Sequence, residues 1–134
     1  MRLHRILVVD DDEDARVLLM RALAKSPLAF EVVTAADGRQ ALEEVARQRP
    51  DAIITDVMMP RVNGFDLCIA LRADPATRDI PLIIVTALEG ERDRQRGLAA
   101  GADAYLTKPF NGNDLTDRLA ELLAARAAGD PSSE

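Results

Sequence analysis

Residues 6–11 of the chain read Ile-Leu-Val-Val-Asp-Asp, an uninterrupted apolar run that ends in two acids. Residues 52–56, Ala-Ile-Ile-Thr-Asp, repeat the pattern with one acid at the end. Continuous apolar runs of this length are typical of parallel strands that are covered on both faces of a sheet. The carboxyl ends of parallel strands share one edge, where ligands bind in open α/β sheets. The sequence therefore predicts that Asp10, Asp11 and Asp56 lie close together.

The whole chain alternates between strand-like and helix-like segments. The predicted strands are Arg5–Val9, Glu31–Ala35, Ala52–Thr55, Leu82–Thr86 and Ala104–Thr107. The predicted helices are Glu13–Lys25, Gly38–Arg49, Gly64–Ala73, Glu91–Ala100 and Asn111–Arg126, the last with a leucine stripe at helical spacing. The second strand mixes polar and apolar residues and is predicted to lie at an edge of the sheet. Such repeats, joined by right-handed crossovers, form a doubly wound parallel α/β sheet, here with five strands and five helices.

The composition describes one soluble domain. The chain has 134 residues, of which 48% are hydrophobic and 30% are charged, enough for one core. A net charge of -6 without a basic tract argues against direct nucleic-acid binding. The single cysteine, Cys68, excludes an internal disulfide and is predicted to pack in the core. We predict a cytoplasmic protein, because no apolar run suits a signal peptide or approaches the ~20 residues of a membrane span.

Five consecutive acids, Asp10–Asp14, follow the first predicted strand. The last three suit the first turn of a helix, where carboxylates cap amide groups and oppose the helix dipole. Asp10 and Asp11 lie nearer the strand end, and with Asp56 they place three carboxylates in a small space. Two such charges ~4 Å apart repel by about 4 kcal/mol at an effective dielectric of 20, so a cation is needed nearby. Oxygen ligands without His or Cys favour Mg²⁺ or Mn²⁺.

Asp56 is the candidate nucleophile of this cluster. An aspartate carboxylate can accept a phosphoryl group as an acyl phosphate, a transfer that needs in-line positioning and cations on the equatorial oxygens. Thr86 ends the fourth predicted strand and Lys108 follows the fifth. Taken separately, they would be a strand-end cap and a surface lysine. Together on one edge of the sheet, they supply a hydroxyl and an ammonium group for the phosphoryl oxygens.

Four ordered motifs make the chain recognisable. They are Ile6–Asp11, Asp56–Pro60 with Asn63-Gly64, Thr86-Ala87, and Lys108-Pro109-Phe110. Over about residues 4–126 they resemble the receiver domain of two-component response regulators. The resemblance implies a flavodoxin-like strand order, 2-1-3-4-5. It also gives residues 1–126 as a receiver domain and residues 127–134 as a disordered tail or the start of a linker.

The resemblance assigns a role to each residue of the cluster. Asp56 would be the phosphoacceptor and would ligate Mg²⁺ directly, together with Asp11 and the backbone carbonyl of Met58. Asp10 would act on the metal through a water, and Lys108 would hold the phosphoryl group. The protein would not be an enzyme in the ordinary sense, since it would catalyse only its own phosphorylation and dephosphorylation.

Two further pairs of residues follow from the resemblance. Thr86 and Tyr105 would form the switch pair, with readout on the face made by the fourth helix, fifth strand and fifth helix. Met58 and Leu88 lie two residues after the phosphoacceptor and two after the switch threonine, where they would flank the path of a hydrolytic water. Both are apolar, so they offer that water no hydrogen bond, and we predict slow loss of the phosphoryl group.

The resemblance also implies partners. The phosphoryl group would come from a phosphohistidine on a sensor histidine kinase or a histidine phosphotransfer protein, with the kinase docked around Ala15–Leu23. A homodimer through the readout face is compatible with the sequence. The resemblance also implies a backbone feature, a cis peptide bond between Lys108 and Pro109. The chain would be either a stand-alone regulator or the input module of a larger diguanylate cyclase, hybrid kinase or transcription factor.

Three other functional classes fit the sequence less well. A phosphate-ester hydrolase with an aspartate nucleophile usually carries a second acid two residues later, where Met58 stands. A nucleotide-binding phosphate loop needs a Gly-rich loop with Lys-Ser/Thr after the first strand, where the acids Asp10–Asp14 lie. A flavodoxin-like electron carrier needs a phosphate-binding loop at the same place and aromatic residues around the flavin, but the chain has no Trp and one Tyr.

Overall fold

The computed structural model describes residues 3–129, which form five strands and five helices in strict alternation. The strands are β1 (His4–Val9), β2 (Phe30–Ala35), β3 (Ala52–Thr55), β4 (Leu82–Thr86) and β5 (Ala104–Thr107). The helices are α1 (Glu13–Ala24), α2 (Gly38–Arg47), α3 (Gly64–Ala73), α4 (Glu91–Ala100) and α5 (Gly112–Gly129).

All strand pairs in the sheet are parallel, and the strand order is β2-β1-β3-β4-β5. The register aligns the strand ends, because Val9 lies opposite both Ala35 and Thr55, and Thr86 lies opposite Thr107. The structure therefore confirms the doubly wound α/β fold and the predicted strand order. It also confirms β2 as an edge strand and the three continuously apolar strands as central ones.

Two hydrophobic clusters cover the two faces of the sheet. One joins alternate residues of the central strands to buried residues of α2 and α3, and Cys68 lies in it fully buried, as predicted. The other joins the remaining strand residues to α1 and α5, where Leu115, Leu119 and Leu123 are buried along the predicted stripe. Because successive strand residues point to opposite faces, each continuous apolar run supplies both clusters.

Arg72, near the end of α3, ties the amino-terminal ends of β4 and β5 together. Its guanidinium donates hydrogen bonds to the backbone carbonyls of Gly101 and Ile80, at 2.9 and 2.6 Å. It also forms an ion pair with the Asp103 carboxylate at 3.0 Å. The same Asp103 oxygen accepts a hydrogen bond from the amide of Leu82 at 2.9 Å. The starts of β4 and β5, at the edge of the sheet opposite the acidic residues, are thus joined by one polar network.

The bounds of three helices differ from the sequence-based prediction, and α1 ends at Ala24 rather than Lys25. Helix α2 ends at Arg47, not Arg49, because Pro50 disfavours helical backbone in the residue before it and Gln48 is already extended. Helix α5 begins at Gly112 rather than Asn111 and runs to Gly129, so it includes residues 127–129 of the predicted tail. The remainder of that predicted tail, residues 130–134, lies outside the described residues. Within residues 3–129, no helix combines the length and hydropathy needed to cross a bilayer.

Candidate functional site

Hydrogen bonds that continue the sheet beyond its strands fix the candidate site residues. The amide of Asp56 donates to the carbonyl of Val9 at 2.9 Å, and the amide of Lys108 donates to the carbonyl of Thr86 at 2.7 Å. The amide of Asp10 is held in the same way by the last residue of β2. These bonds set the candidate residues side by side at the carboxyl edge of the sheet, as the sequence predicted.

The three predicted carboxylates form one cluster with Lys108. Side-chain oxygens of Asp10, Asp11 and Asp56 all lie within 4.8 Å of one another. The Lys108 ammonium lies 2.8 Å from the Asp10 carboxylate and 3.0 Å from the Asp56 carboxylate. Asp10 and Asp56 are buried, whereas Asp11 is exposed. Lys108 therefore partly neutralises the two buried acids, and the third carboxylate faces solvent.

Backbone amides satisfy the other oxygens of the two buried acids. Asp10 Oδ1 accepts from the amide of Asp12 at 3.0 Å. Asp56 Oδ1 accepts from the amides of Val57 and Met58, at 2.6 and 3.4 Å. Such contacts hold both carboxylates in one orientation, which the in-line geometry of phosphoryl transfer requires.

The Asn63-Gly64 motif brings the start of α3 against the loop that carries Asp56. The amide of Gly64 donates to the carbonyl of Val57 at 2.9 Å, and Asn63 caps the helix by accepting from the amide of Asp66. A β-carbon added to Gly64 would overlap the backbone oxygen of Asp56 and lie 2.8 Å from Val57 Cα. Glycine is needed here because the backbone approaches too closely for any side chain.

Burial and hydrogen bonding shift the pKa of two groups at the site, Asp10 and Lys108. Burial raises the pKa of Asp10, and the hydrogen bonds from Lys108 and the Asp12 amide only partly offset it. Burial lowers the pKa of Lys108, but hydrogen bonds to Asp10 and Asp56 outweigh that effect and leave the pKa raised. The Lys108 ammonium therefore stays charged beside the two buried carboxylates that it contacts.

The donor set of this cluster fits a hard divalent cation. All three side chains offer carboxylate oxygens, without imidazole or thiolate, which suits Mg²⁺ or Mn²⁺. Asp11 accepts no hydrogen bond from any described residue, so its oxygens are available for an ion on the solvent side. Met58 lies on the loop after Asp56, and ligation by its backbone carbonyl stays a prediction.

The predicted switch residues are connected through the peptide groups of Leu88. Thr86 is fully buried, and its hydroxyl accepts from the amide of Leu88 at 3.4 Å. The Tyr105 hydroxyl donates to the carbonyl of Leu88 at 2.7 Å. Burial raises the pKa of Tyr105, with further contributions from the negative charges of Asp93 and Asp56. Tyr105 is not part of the carboxylate cluster, but one residue links it to Thr86.

Met58 and Leu88 border a cleft of about 470 Å³ that opens beside Asp11. Met58 is 59% exposed, whereas Leu88 is half-buried and packs against the core. Both predicted water-access residues therefore lie at the mouth of the site. The neighbouring Lys108–Pro109 peptide bond is cis, as predicted.

Sequence reasoning missed two arginines at the site. Arg16 on α1 donates to the backbone carbonyl of Asp10 at 2.6 Å. Arg96 on α4 lines the cleft, with its guanidinium carbon 4.4 Å from the centroid of the Phe65 ring. Neither arginine belongs to a motif, and both reach the site because of how their helices are rotated about their axes.

Comparison with known proteins places this geometry in a family. The response regulator receiver domain family matches residues 6–120. The chain belongs to this family. As a receiver domain, it is 43% identical to response regulator MprA of Mycolicibacterium vanbaalenii over 97% of this chain and 54% of that protein. It is 48% identical to response regulator PleD of Caulobacter vibrioides over 88% of this chain and 26% of that protein. The chain thus spans about half or less of these relatives.

Solved structures agree with this receiver domain in fold. A putative response regulator from Chloroflexus aurantiacus superposes with a TM-score of 0.86 and 36% identity, covering 92% of this chain and 99% of that one. The signal receiver domain of a histidine kinase from Syntrophus aciditrophicus superposes with a TM-score of 0.82 and 34% identity, covering 96% of each chain. Receiver domains similar to this one therefore occur both in response regulators and within a histidine kinase.

Proposed function

We propose that this receiver domain accepts a phosphoryl group on Asp56 in a Mg²⁺-dependent reaction and relays the signal by a change of conformation. The observation that carries the proposal is the Lys108 ammonium, 2.8 Å from Asp10 and 3.0 Å from Asp56 in a cluster of three carboxylates. A structural ion pair needs one acid and one base. Three clustered carboxylates with one lysine keep a net negative charge, which a divalent cation would offset.

The chemical step requires little covalent assistance from the protein. A carboxylate oxygen of Asp56 forms a bond to phosphorus while the phosphorus–nitrogen bond of a phosphohistidine breaks, and the imidazole nitrogen keeps the electron pair. Lys108 neutralises charge on the phosphoryl oxygens. Mg²⁺ or Mn²⁺, held by Asp10, Asp11, Asp56 and the Met58 carbonyl, supplies additional positive charge there when bound. The domain acts only on its own phosphorylation and dephosphorylation.

The conformational change passes through Leu88. A phosphoryl group on Asp56 offers the Thr86 hydroxyl a charged acceptor in place of its long contact with the Leu88 amide. Because Tyr105 is bonded to the carbonyl of Leu88, movement of this peptide alters the balance of its rotamers. We propose that the α4-β5-α5 face reads out this shift and that it can support a homodimer.

The partner surface lies beside the site. Helix α1 exposes the apolar side chains of Val17, Leu18 and Met20. Leu18 also borders a cleft of about 840 Å³, which continues onto Pro109 and Phe110 after Lys108. We propose that a sensor histidine kinase or a histidine phosphotransfer protein docks here, in the cytoplasm, and that this domain does not itself contact nucleic acid.

The proposed domain comprises residues 1–126, and two contexts suit it. It is either a stand-alone regulator or the input module of a diguanylate cyclase, hybrid kinase or transcription factor. The relatives support both kinds of setting, because the transcriptional regulatory protein PhoP of Bacillus subtilis matches at 38% identity over 52% of its length. RcpA, a cyanobacterial phytochrome response regulator whose solved structure is phosphorylated, matches at 25% identity over 93% of that solved chain. A match over nearly the whole of a chain suits a stand-alone regulator.

Phosphorylation of the isolated domain tests the proposal. Acetyl phosphate with Mg²⁺ should add one phosphate to the wild type, as measured by intact-protein mass spectrometry. Asp56→Asn should take up none while keeping the wild-type circular dichroism spectrum. Omission of Mg²⁺ should stop the reaction, and Mn²⁺ should restore it. Phosphate on a folded Asp56→Asn variant would show that another residue is the acceptor.

A further inference from the structure

The guanidinium of Arg96 lies at the mouth of the phosphoacceptor site. It stacks 4.4 Å above the centroid of Phe65, a ring that is only 3% exposed and is fixed at the start of α3. Arg96 itself is exposed, and it borders the same cleft as Asp11, Met58 and Leu88. A long, flexible side chain is thereby held in one place by a rigid aromatic partner.

The charge of Arg96 is not neutralised by a carboxylate. Within residues 3–129, no acid forms an ion pair with it, although Asp93 lines the same cleft. Arg94, two residues earlier on α4, pairs instead with Glu91 at 3.7 Å. A cation held by a ring keeps its capacity to attract an anion, because the ring carries no net charge.

The outer approach to Asp56 holds more acidic than basic side chains, apart from any metal ion bound deeper in the site. A phosphodonor brings negative charge toward a site that already holds three carboxylates. Lys108 is engaged by Asp10 and Asp56 and is three-quarters covered, so it meets the donor only at the end of its path. Among the described residues that line the outer cleft, Arg96 is the one cation, and the acids there are Asp11 and Asp93.

We propose that Arg96 is a phosphodonor-binding residue, which draws the phosphoryl oxygens of a small anionic donor into the cleft before transfer to Asp56. This inference rests on the proposed phosphoacceptor function and adds a specificity determinant to it. The bonds made and broken are those of the transfer itself: the Asp56 oxygen bonds to phosphorus, the bond from phosphorus to the donor breaks, and the leaving group keeps the electron pair. Arg96 contributes attraction, which grows with the charge on the donor.

The test compares two donors of different charge, acetyl phosphate and phosphoramidate, because acetyl phosphate is the more negative near neutral pH. Initial rates of Asp56 phosphorylation are measured against donor concentration, at saturating Mg²⁺ and at low and high salt. The variants are Arg96→Ala and Arg96→Lys. Arg94→Ala is the matched control, since it removes the same charge from the same helix outside the cleft.

Arg96→Ala should lower the second-order rate constant for acetyl phosphate by about three- to tenfold, a modest effect that suits the loss of one exposed charge from the larger field that steers association. The loss should appear as a higher half-saturating concentration with an unchanged maximum rate. It should be smaller for phosphoramidate and should diminish at high salt. Arg96→Lys should recover most of the rate, and Arg94→Ala should match the wild type.

Equal losses with both donors, or a loss confined to the maximum rate, would overturn the inference, because a structural defect affects both donors alike. Identical kinetics for Arg96→Ala and Arg94→Ala would overturn it as well. In either case Asp56 would still be phosphorylated and the proposed function would stand. A wild type that accepts phosphate from neither donor would instead overturn the proposed function, and this inference with it.

Discussion

The ring of Tyr105 occupies the space that a side chain on Gly97 would need. A β-carbon at Gly97 would lie 2.9 Å from Tyr105 Cδ2 and 3.0 Å from Ile84 Cδ1. Glycine inside a helix costs about 1 kcal/mol relative to alanine, so α4 gives up helix stability at this point. In return, the absence of a side chain at Gly97 lets the Tyr105 ring pack against α4, beside the fully buried Ile84.

Gly97→Ala should therefore displace the Tyr105 ring from its position against α4. Ile84 is enclosed in the core and cannot yield, whereas the ring is half-buried and can rotate outward. The hydrogen bond to Leu88 would be lost, and the pKa of Tyr105 should fall toward its ordinary value. NMR signals of this single tyrosine report the change. Gly90→Ala is the control, because its β-carbon would meet only Asp93, at 3.7 Å. An unmoved ring in Gly97→Ala would show that α4 shifts instead.

Tyr105 should ionise above its ordinary range in the folded domain. Burial raises its pKa first, and Asp93 and Asp56 add to the effect. The folded state thus holds the phenolic proton more tightly than the unfolded state, whose pKa is about 10. The associated stability is complete below that pH and is lost as the pH rises through the folded pKa. Absorbance titration of native and urea-unfolded protein measures both values. A native value at or below the unfolded one would contradict the prediction.

Asp11→Asn should stabilise the metal-free domain and weaken Mg²⁺ binding. The exposed Asp11 carboxylate repels Asp10 and Asp56, all within 4.8 Å, and accepts no hydrogen bond from a described residue. After allowance for solvent screening, we expect a gain of about 1 kcal/mol in the free energy of unfolding. Urea denaturation measures it. Saturating Mg²⁺ should remove this difference in free energy of unfolding, because the ion stabilises the wild type more than the variant. An equal difference with and without Mg²⁺ would show that repulsion among the carboxylates does not cause it.

The combination Met58→Asn with Leu88→Glu should shorten the lifetime of the phosphorylated form. Polar groups at these two positions in the cleft can orient a water for attack on the acyl phosphate. One such contact is worth roughly 1–2 kcal/mol, or about tenfold in the rate of phosphate loss. Met20→Asn, an exposed methionine on α1, controls for the substitution itself. Decay of the double variant at the wild-type rate would exclude apolar cover as the determinant of lifetime.

The sequence was sufficient to predict the sheet and most of the site. A continuous apolar run predicts a central strand of a parallel sheet, because both of its faces must be covered. The residue that follows each run therefore lies at the carboxyl edge. This is why the sequence alone predicts that Asp10, Asp56 and Lys108 lie together. The distances between them confirm that inference.

Contacts that depend on helix rotation were beyond the sequence. Helix α4 is polar nearly all round and buries only Gly97, so no apolar stripe shows which residues face the cleft. The sequence pattern therefore did not predict the stacking of Arg96 on Phe65. It also did not predict the position of Leu88 between Thr86 and Tyr105. Each of these depends on where a loop or helix sits to within an ångström, and patterns of hydrophobicity do not carry that information.

Arg72 gives the domain a stationary base. Its bonds to Gly101, Ile80 and Asp103 hold β4 and β5 together at one end, while Thr86 and Thr107 lie side by side at the opposite end of the same strands. A change at the carboxyl edge, where Asp10, Asp11 and Asp56 lie, then acts on the ends of β4 and β5 that Arg72 does not hold. We therefore expect phosphorylation to change the hydrogen-exchange rates of backbone amides most near the carboxyl edge of the sheet. The change should become smaller toward Arg72. Phosphorylation would thus alter one edge of the sheet and leave the other as a fixed reference for the rest of the fold.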